Sequence, residues 1–194
     1  MGGDPVGLPD LLLVDRCLGG EEAAARELFR LHQGRVHATL FRVLGSNRDM
    51  DDLMQETFIQ VFRSLGSFRG EARLSTWIDR IAARVAYRHL SRRRTALATV
   101  ELDDDAAAPP VEVHGRVRAR EGVRRFYAAL AALPPASRIA FALHELDGRP
   151  VAEVARLVGT SVTTAKLRIW RARRALMKRA ESDPVLAGFM EESA

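Results

Sequence analysis

The spacing of apolar residues predicts helices along most of the chain. From Glu21 onward, apolar residues recur every three or four positions, as on one face of a helix. Gly45-Ser46-Asn47 is expected to break the first helix, while Asp49 and Ser75 are expected to cap the second and third. The apolar positions of these three helices are Leu28, Phe29, Leu31, Val36, Leu40, Val43 and Leu44; Leu53, Met54, Thr57, Phe58, Val61, Phe62 and Leu65; and Trp77, Ile78, Ile81, Val85 and Leu90.

A change in composition separates these helices from a second helical set. Between Thr95 and Gly115 there is no lysine or arginine, but there are five acids, an alanine run and two adjacent prolines. A structureless segment of this length is unusual inside one domain, so we predict an interdomain linker. The acids either serve as a solubilising tether or have a binding role. Beyond the linker, helices are predicted over 118–133, 136–146, 151–157 and 162–180.

The expected fold class is therefore all-α, because neither strand alternation nor an internal repeat is present. Two small helical domains are joined by a flexible acidic linker, and the C-terminal domain is a helix-turn-helix. The expected division is an N-terminal tail and first helix start at 1–20, a first domain at 21–94, the linker at 95–117, a second domain at 118–181 and a C-terminal tail at 182–194.

The helix-turn-helix prediction depends on the segment that follows Pro150. A short helix starts at Val151, and Gly159 in the next turn is free to adopt a positive φ. Either Thr160 or Ser161 is placed to cap the last helix. The small Ala155 lets the two helices cross closely. The apolar stripe of the last helix is predicted to be Val162, Ala165, Ile169, Ala172 and Leu176.

The rest of the last helix is basic, with seven lysines and arginines and no acid between Val162 and Ala180. The positive charges on such a helix repel one another unless an anionic partner neutralises them. DNA is such a partner, and its major groove accommodates one α-helix. The alternative is a solvated basic face. Trp170 has two interpretations, a partial core anchor or a contact with a thymine methyl group or a sugar. The candidate DNA-binding residues are Thr163, Lys166, Leu167, Trp170, Arg171 and Arg174.

The first domain has a second basic face, because arginines recur every fourth position from Arg80 to Arg92 and continue at Arg93 and Arg94. A phosphate backbone would neutralise this row; the alternative is scattered surface arginines. The preceding loop, 68–74, combines an aromatic residue with a glycine and is a candidate to hold an unstacked base. Asp51, Asp52, Gln55 and Glu56 form a polar patch, which the residues alone explain as acids that stabilise a helix N-terminus.

Composition narrows the function classes. The net charge of +5 and the pI of about 10.3 suit a polyanionic partner. The single cysteine, Cys17, excludes an intramolecular disulfide and fits a small core residue. No apolar stretch reaches membrane-helix length and no signal peptide is evident, so a cytoplasmic location without membrane insertion is expected. The five histidines lack metal-site spacing, and no phosphate loop or nucleophile elbow is present, so we expect neither an enzyme nor a cofactor.

Taken together, these segments resemble the extracytoplasmic-function (ECF) branch of the bacterial sigma-70 family. The likeness covers roughly 21–94 and 122–179. Each motif is moderately specific, while their order and spacing are strongly so. The matching segments are 51–58, 68–72 with Thr76-Trp77, Arg80-Ile81-Ala82, His89-Leu90 with the arginines that follow, Leu133-Pro134, 145–148 and 151–174.

The resemblance implies a sigma factor that binds core RNA polymerase and promoter DNA, with an anti-sigma factor as a further partner and no small-molecule substrate. The last helix would read the −35 element, and the acidic linker would run toward the polymerase active-site and RNA-exit path, mimicking nucleic-acid charge. The −10 element would be bound by Phe68, Arg69, Gly70, Glu71, Ala72, Arg73, Leu74, Trp77, Arg80, Arg84 and Arg88. Core polymerase would be bound by Asp51, Asp52, Leu53, Gln55 and Glu56.

Four positions depart from the family pattern, namely Leu74, Arg84, Leu167 and Trp170. All four are close to bases in the family, so the promoter sequence is not defined by the resemblance. The alternative function is a conventional helix-turn-helix regulator that acts without polymerase, but this leaves the arginine row and the 68–77 segment unexplained. A purely protein-binding helical module leaves the basic last helix unexplained.

Overall fold

The computed structural model describes residues 7–99 and 114–192, and over these ranges it is all-helical, which confirms the predicted fold class. Residues 100–113, most of the predicted linker, lie outside the described residues. Besides the α-helices, there is a 3₁₀ turn at Leu65–Ser67 and a π-helical segment at Ala142–Leu146. The helices are α1 Leu8–Leu18, α2 Glu22–Leu44, α3 Met50–Ser64, α4 Leu74–Thr99, α5 His114–Ala131, α6 Pro135–Phe141, α7 Val151–Leu157, α8 Val162–Ala180 and α9 Pro184–Glu192.

The helix ends follow the predicted breaks, but two predicted caps are wrong. Gly45 ends α2 with a φ of 71°, and its N–H donates to the carbonyl of Phe41 at 2.7 Å. Asp49 stands at the N-cap of α3 without a capping hydrogen bond, and its carboxylate lies 3.4 Å from His89 Nε2. The N-cap role predicted for Ser75 fails because α4 already begins at Leu74.

The first domain packs α1 to α4 around one apolar core. Its fully buried side chains include Leu28, Leu40, Val61, Ile78 and Val85, all of which the apolar spacing predicts. The same spacing includes three residues that the fold leaves exposed, Phe29, Leu31 and Phe62. Helix α1 also belongs to this core through Leu13 and Val14, where mainly a tail is expected from the sequence.

The second domain packs α5 to α9 around Phe126, Leu130, Leu176 and Leu186. Helix α9 lies where only a C-terminal tail is expected, because a nine-residue segment is too short for its apolar spacing to stand out. It packs closely on α5: a Cβ atom added at Gly122 would lie 2.8 Å from Phe189 Cβ. The ion pair between Arg125 and Asp183, at 3.0 Å, links α5 to the start of α9.

The two domains also pack against each other. Ile139, Leu143 and Leu157 of the second domain belong to the same buried apolar cluster as Ile78 and Val85 of the first. The sequence alone predicts a flexible tether between separate domains and contains no sign of this shared core.

The contact between α5 and α9 allows a stability prediction. Gly122→Ala should lower the free energy of unfolding by about 1–3 kcal/mol, because the new methyl group overlaps Phe189 near its backbone. Gly188→Ala in α9 is the matched control, since nothing lies within 4 Å of its added Cβ. Alanine is a better helix former than glycine, so the control should keep or raise stability. Urea unfolding of the two variants measures the difference, and equal midpoints would contradict the close packing.

Candidate nucleic-acid interface

Helices α7 and α8 form the predicted helix-turn-helix. Gly159 takes a φ of 66° in the turn, and the Thr160 N–H donates to the Ala155 carbonyl at 2.9 Å. Of the two candidate caps, Ser161 is the one used, because its Oγ accepts from the Thr164 N–H at 3.1 Å. Ala155 is buried, in agreement with its predicted place where the two helices cross.

The apolar stripe of α8 faces the core, with one exception. Ala165, Ile169, Ala172 and Leu176 are buried, whereas Val162 is 44% exposed. Its place in the predicted stripe is therefore wrong, because the first turn of α8 extends past the core. All six candidate DNA-binding residues of this helix are exposed and lie away from the stripe: Thr163, Lys166, Leu167, Trp170, Arg171 and Arg174.

Trp170 does not anchor the core, since it is 53% exposed. The guanidinium carbon of Arg174 lies 5.4 Å from the centroid of its ring, within the range of a cation–π contact. The two side chains therefore form one exposed surface. On this surface the Arg174 guanidinium and part of the Trp170 ring are accessible to a partner. This arrangement favours the second interpretation of Trp170, contact with a partner.

The basic residues of α8 have few acids near them. Arg173, two turns after Lys166 on α8, donates to Glu145 of the second domain at 2.6 Å, on the side of the helix away from Arg171. Within the described part of the chain, neither Lys166 nor Arg171 forms an ion pair. An exposed, acid-free helical face of this kind can take phosphate groups or the acceptor edge of guanine.

The arginine row of α4 is only partly free. Arg84 and Arg92 are exposed and have no ion pair among the described residues, whereas Arg88 donates to Glu56 of α3 at 2.9 Å. Arg80 is half-buried, and its Nε has no hydrogen-bond partner in the described structure. Arg93 comes within 3.9 Å of Asp49. Binding of phosphate at Arg88 would thus compete with an internal carboxylate.

The loop 68–74 is held by contacts at both ends. Phe68 and Trp77 meet edge to face with centroids 5.6 Å apart, and Gly70 takes a φ of 71°. The Leu74 N–H donates to Asp10 Oδ2 of α1 at 3.0 Å, and the Leu74 side chain is fully buried. Of the remaining loop residues, Arg69, Glu71 and Arg73 are exposed, and Ala72 is half-buried. Nothing in the sequence indicates this role of Asp10, because it lies 64 positions before Leu74, whose N–H it accepts.

The polar patch on α3 is mostly accessible. Asp51, Asp52 and Gln55 are exposed, and Glu56 is half-buried beside Arg88. Leu53 differs from the others, because it is 3% exposed and belongs to the core of the first domain. In this conformation it supports the helix and offers no surface to a partner.

A cluster of charges lies between the domains, and nothing in the sequence indicates it. We call it the interdomain ion cluster; it comprises Arg35, Arg42, Asp79, Asp147, Arg149 and Glu153. Asp79 is buried in α4, and its Oδ2 accepts from Arg149 at 2.9 Å. Burial lowers the pKa of Arg149, but the carboxylates of Asp79 and Asp147 outweigh burial and raise it above its ordinary value.

The described residues contain neither a helix able to cross a membrane nor a group of residues arranged to hold a metal ion. The fold and these surfaces define a class, a two-domain helical protein with a helix-turn-helix and a second basic helix, suited to nucleic acid. Comparison with known families places the chain within that class. The family described as Sigma-70 region 2 matches residues 28–96, and Sigma-70 region 4 matches residues 124–176.

Relatives extend this match over most of the chain. The ECF RNA polymerase sigma-E factors of Salmonella typhimurium and Escherichia coli are 31% identical over 178 residues, 87% of this chain and 93% of theirs. The RNA polymerase sigma-H factor of Pseudomonas aeruginosa is 30% identical over 87% of this chain and 92% of its own. The chain belongs to the ECF branch of the sigma-70 family and is a transcription initiation factor.

Two solved structures agree in fold. CnrH, in complex with the cytosolic domain of CnrY, has a TM-score of 0.60 at 24% identity, covering 90% of this chain and 98% of its own. The sigma factor RpoE of Bartonella quintana, in complex with the anti-sigma factor NepR, has a TM-score of 0.58 at 21% identity, covering 81% and 97%. Since family matches cover both domains, these comparisons favour a sigma factor over a conventional helix-turn-helix regulator.

The cap of α8 gives a prediction specific to this site. Ser161→Ala should lower the free energy of unfolding by about 1 kcal/mol, because the Thr164 N–H loses its side-chain acceptor. Thr160→Ala is the control, since Thr160 makes no side-chain cap and should change stability far less. Thermal unfolding of both variants tests the assignment, and a larger loss for Thr160→Ala would reverse it.

Proposed function

We propose that this sigma factor reads the −35 promoter element with the exposed face of α8. The observation that carries the proposal is that Lys166, Trp170 and Arg171 lie together, exposed and free of acids, on the second helix of a helix-turn-helix. A helix in this position of the motif enters the major groove. Thr163, Leu167 and Arg174 complete the proposed contact surface.

For the −10 element we propose the α4 arginines and the 68–74 loop. The loop presents Arg69, Glu71 and Arg73 to solvent on a frame made by the Phe68–Trp77 contact and the buried Leu74. Gly70 has no side chain and Ala72 only a methyl group, so in this proposal they would leave room for a base. Arg80, Arg84 and Arg88 would then lie along the phosphates of the separated strand.

We propose that α3 binds core RNA polymerase through Asp51, Asp52, Gln55 and Glu56, with Leu53 acting from within the core. The exposure of the first three side chains supports this role. Because both solved relatives are complexes, one of them with a named anti-sigma factor, we also propose an anti-sigma partner for this chain.

The proposed division keeps the expected one: region 2 over 21–94, a linker over 95–117 and region 4 over 118–181. Helix α4 ends at Thr99 and helix α5 begins at His114, so each helix extends a few residues into the proposed linker. We further propose a cytoplasmic protein that acts by binding alone, with no catalysed reaction and no cofactor, as for the non-enzymatic initiation factors of this family.

Run-off transcription with purified core polymerase tests the proposed function. A promoter-dependent transcript that appears only when the protein is added supports a sigma factor. Binding of duplex DNA by the protein alone, with no transcript at any tested promoter, would support a regulator instead.

The −35 assignment predicts that Lys166→Ala and Arg171→Ala each weaken binding of the holoenzyme to a cognate promoter. Each lost base or phosphate contact should cost on the order of 1–3 kcal/mol. Arg179→Ala is the matched control, because Arg179 is exposed near the end of α8 and lies off the helical face that carries Lys166 and Arg171. Filter binding at a fixed salt concentration measures the change. Equal losses for Lys166→Ala and the control would reject a directed contact.

The polymerase assignment predicts that changing Asp52 and Gln55 together to alanine weakens binding to core polymerase while the fold stays intact. Both side chains are exposed and form no side-chain hydrogen bond or ion pair among the described residues, so their removal leaves no partner unpaired. Asp15→Ala on α1 controls for the lost charge. A pull-down with immobilised core polymerase measures the effect, and undiminished recovery of the double variant would refute the assignment.

A further inference from the structure

A cleft of about 420 Å³, which we call the interdomain cleft, lies where α4 faces α6, α7 and α8. Its lining consists of Ala83, Arg84, Tyr87 and Arg88 from the first domain and Ala136, Ile139, Leu157, Val158 and Arg168 from the second. Pockets that hold small molecules are typically about 300–1,000 Å³ and form preferentially at boundaries between domains. The size and position of the cleft therefore suit one small molecule.

The charged side chains that line the cleft are all cationic. They are Arg84, Arg88 and Arg168, and the lining contains no acid. Among the described residues only Arg88 of these three forms an ion pair, with Glu56 at 2.9 Å, and Glu56 lies outside the lining. A cleft lined by charges of one sign concentrates the field between its low-dielectric walls and attracts a counter-ion. The interdomain cleft therefore favours an anionic ligand.

Arg168 points most directly to a bound anion. It is the one lysine or arginine of α8 that is not exposed, and it belongs neither to the proposed −35 face nor to the apolar stripe. Its side chain forms no hydrogen bond or ion pair among the described residues. Across the cleft, Nε of Arg88 is buried, and the described structure contains no hydrogen-bond partner for it. Donors withdrawn from water without an acceptor cost free energy, which an anion in the cleft would recover.

The rest of the lining suits a ligand with a planar or apolar body. Ile139, Leu157 and Val158 form an apolar wall on the side of the second domain. On the side of the first domain, Tyr87 is 48% exposed and meets no other ring among the described residues. An accessible aromatic ring is a platform on which a nucleic-acid base stacks. A bare inorganic anion would use the arginines and leave both of these surfaces in water.

Phosphate and base could belong to a free nucleotide or to a DNA strand, and the cleft favours the free nucleotide. Its volume is near the lower end of the range for small-molecule pockets, so it has room for one nucleotide and not for several linked ones. A strand along α4 would contact Arg84 and Arg88, as proposed above. A ligand held between the two domains would use Arg168 as well.

We propose that the interdomain cleft binds a free nucleoside diphosphate, with the phosphates on its three arginines and the base between Tyr87 and the apolar wall. Guanidinium groups pair with phosphate oxygens through two parallel N–H···O bonds, and a diphosphate offers enough oxygens for all three arginines. The proposal gives the protein a small-molecule ligand. It does not depend on the promoter contacts proposed above, although Arg84 and Arg88 occur in both.

Isothermal titration calorimetry of the full chain with ADP, inorganic pyrophosphate and adenosine tests the ligand class. All three titrations use the same ionic strength and contain neither DNA nor polymerase. We expect ADP to bind on the order of tenfold more tightly than pyrophosphate, because the base adds a stacking contact. Adenosine, which lacks phosphate, should bind more weakly than either. Absence of ADP binding at millimolar concentration would overturn the proposal, and pyrophosphate binding as tight as that of ADP would overturn the nucleotide class.

Two variants locate the ligand without touching the proposed promoter surfaces. Arg168→Ala should weaken both ADP and pyrophosphate on the order of tenfold, because a charged donor to phosphate is lost. Tyr87→Leu should weaken ADP and leave pyrophosphate unchanged. Arg156→Ala is the matched control for the lost charge, since Arg156 is exposed on α7 outside the lining. Thermal unfolding confirms that the variants fold, and Arg168→Gln replaces Arg168→Ala if it does not. Equal losses in the control and in Arg168→Ala would overturn the site.

Titration with a short single-stranded oligonucleotide distinguishes the two sources of phosphate. We expect Arg168→Ala to lose affinity for ADP while its affinity for the strand stays near that of the parent. If the strand loses as much affinity as ADP, the cleft belongs to DNA and the proposal of a free nucleotide is overturned. Failed run-off transcription with ADP binding intact would count against the proposed function alone. Active transcription without ADP binding would count against the nucleotide site alone.

Discussion

The structure depends most on a buried carboxylate, Asp79, that pairs with one arginine on each side of a domain boundary. Away from water, an ionised carboxylate is stable only when it is paired. Arg35 satisfies it from within the first domain and Arg149 from the second, both through the same oxygen, Oδ2. This geometry makes the two domains one body in the described conformation, and at the same time gives each of the two buried charges a partner that does not depend on the other domain.

The two basic helices, α4 and α8, differ in how much of their charged face the fold leaves exposed to solvent. Helix α8 buries a narrow stripe of small and branched residues, and six of its seven arginines and lysines are exposed. Helix α4 lies inside the molecule, packed by α2 and α3 and approached by α6 and α7, so its arginines are divided between solvent, Glu56 and the interdomain cleft. In this conformation the basic face of α8 is therefore accessible, whereas Arg84 and Arg88 of α4 line a cleft against the second domain.

The local predictions that succeeded are those set by local physics. The positive φ of Gly159, the cap at Ser161 and the end of α2 at Gly45 follow from side-chain size and backbone hydrogen bonding within a few residues. The failures have non-local causes. The Asp49 carboxylate lies 3.4 Å from His89 Nε2 of α4 and does not cap its own helix. Val162 extends past a core whose edge depends on how separate helices pack. The site residue Asp10 supports a loop that is distant in sequence.

The sequence by itself determined the helical class, the helix-turn-helix, the two arginine-rich faces and, through the order and spacing of its motifs, the family. These features are periodic or local, so neighbouring residues are enough to define them. Only the tertiary structure decided that Trp170 is exposed, that Leu53 and Leu74 are core residues, and that α9 packs on α5. It alone also joined the domains through Asp79, Arg138 and Arg149, because pairings between residues 70 or more positions apart depend on how separate helices pack and leave no pattern along the chain.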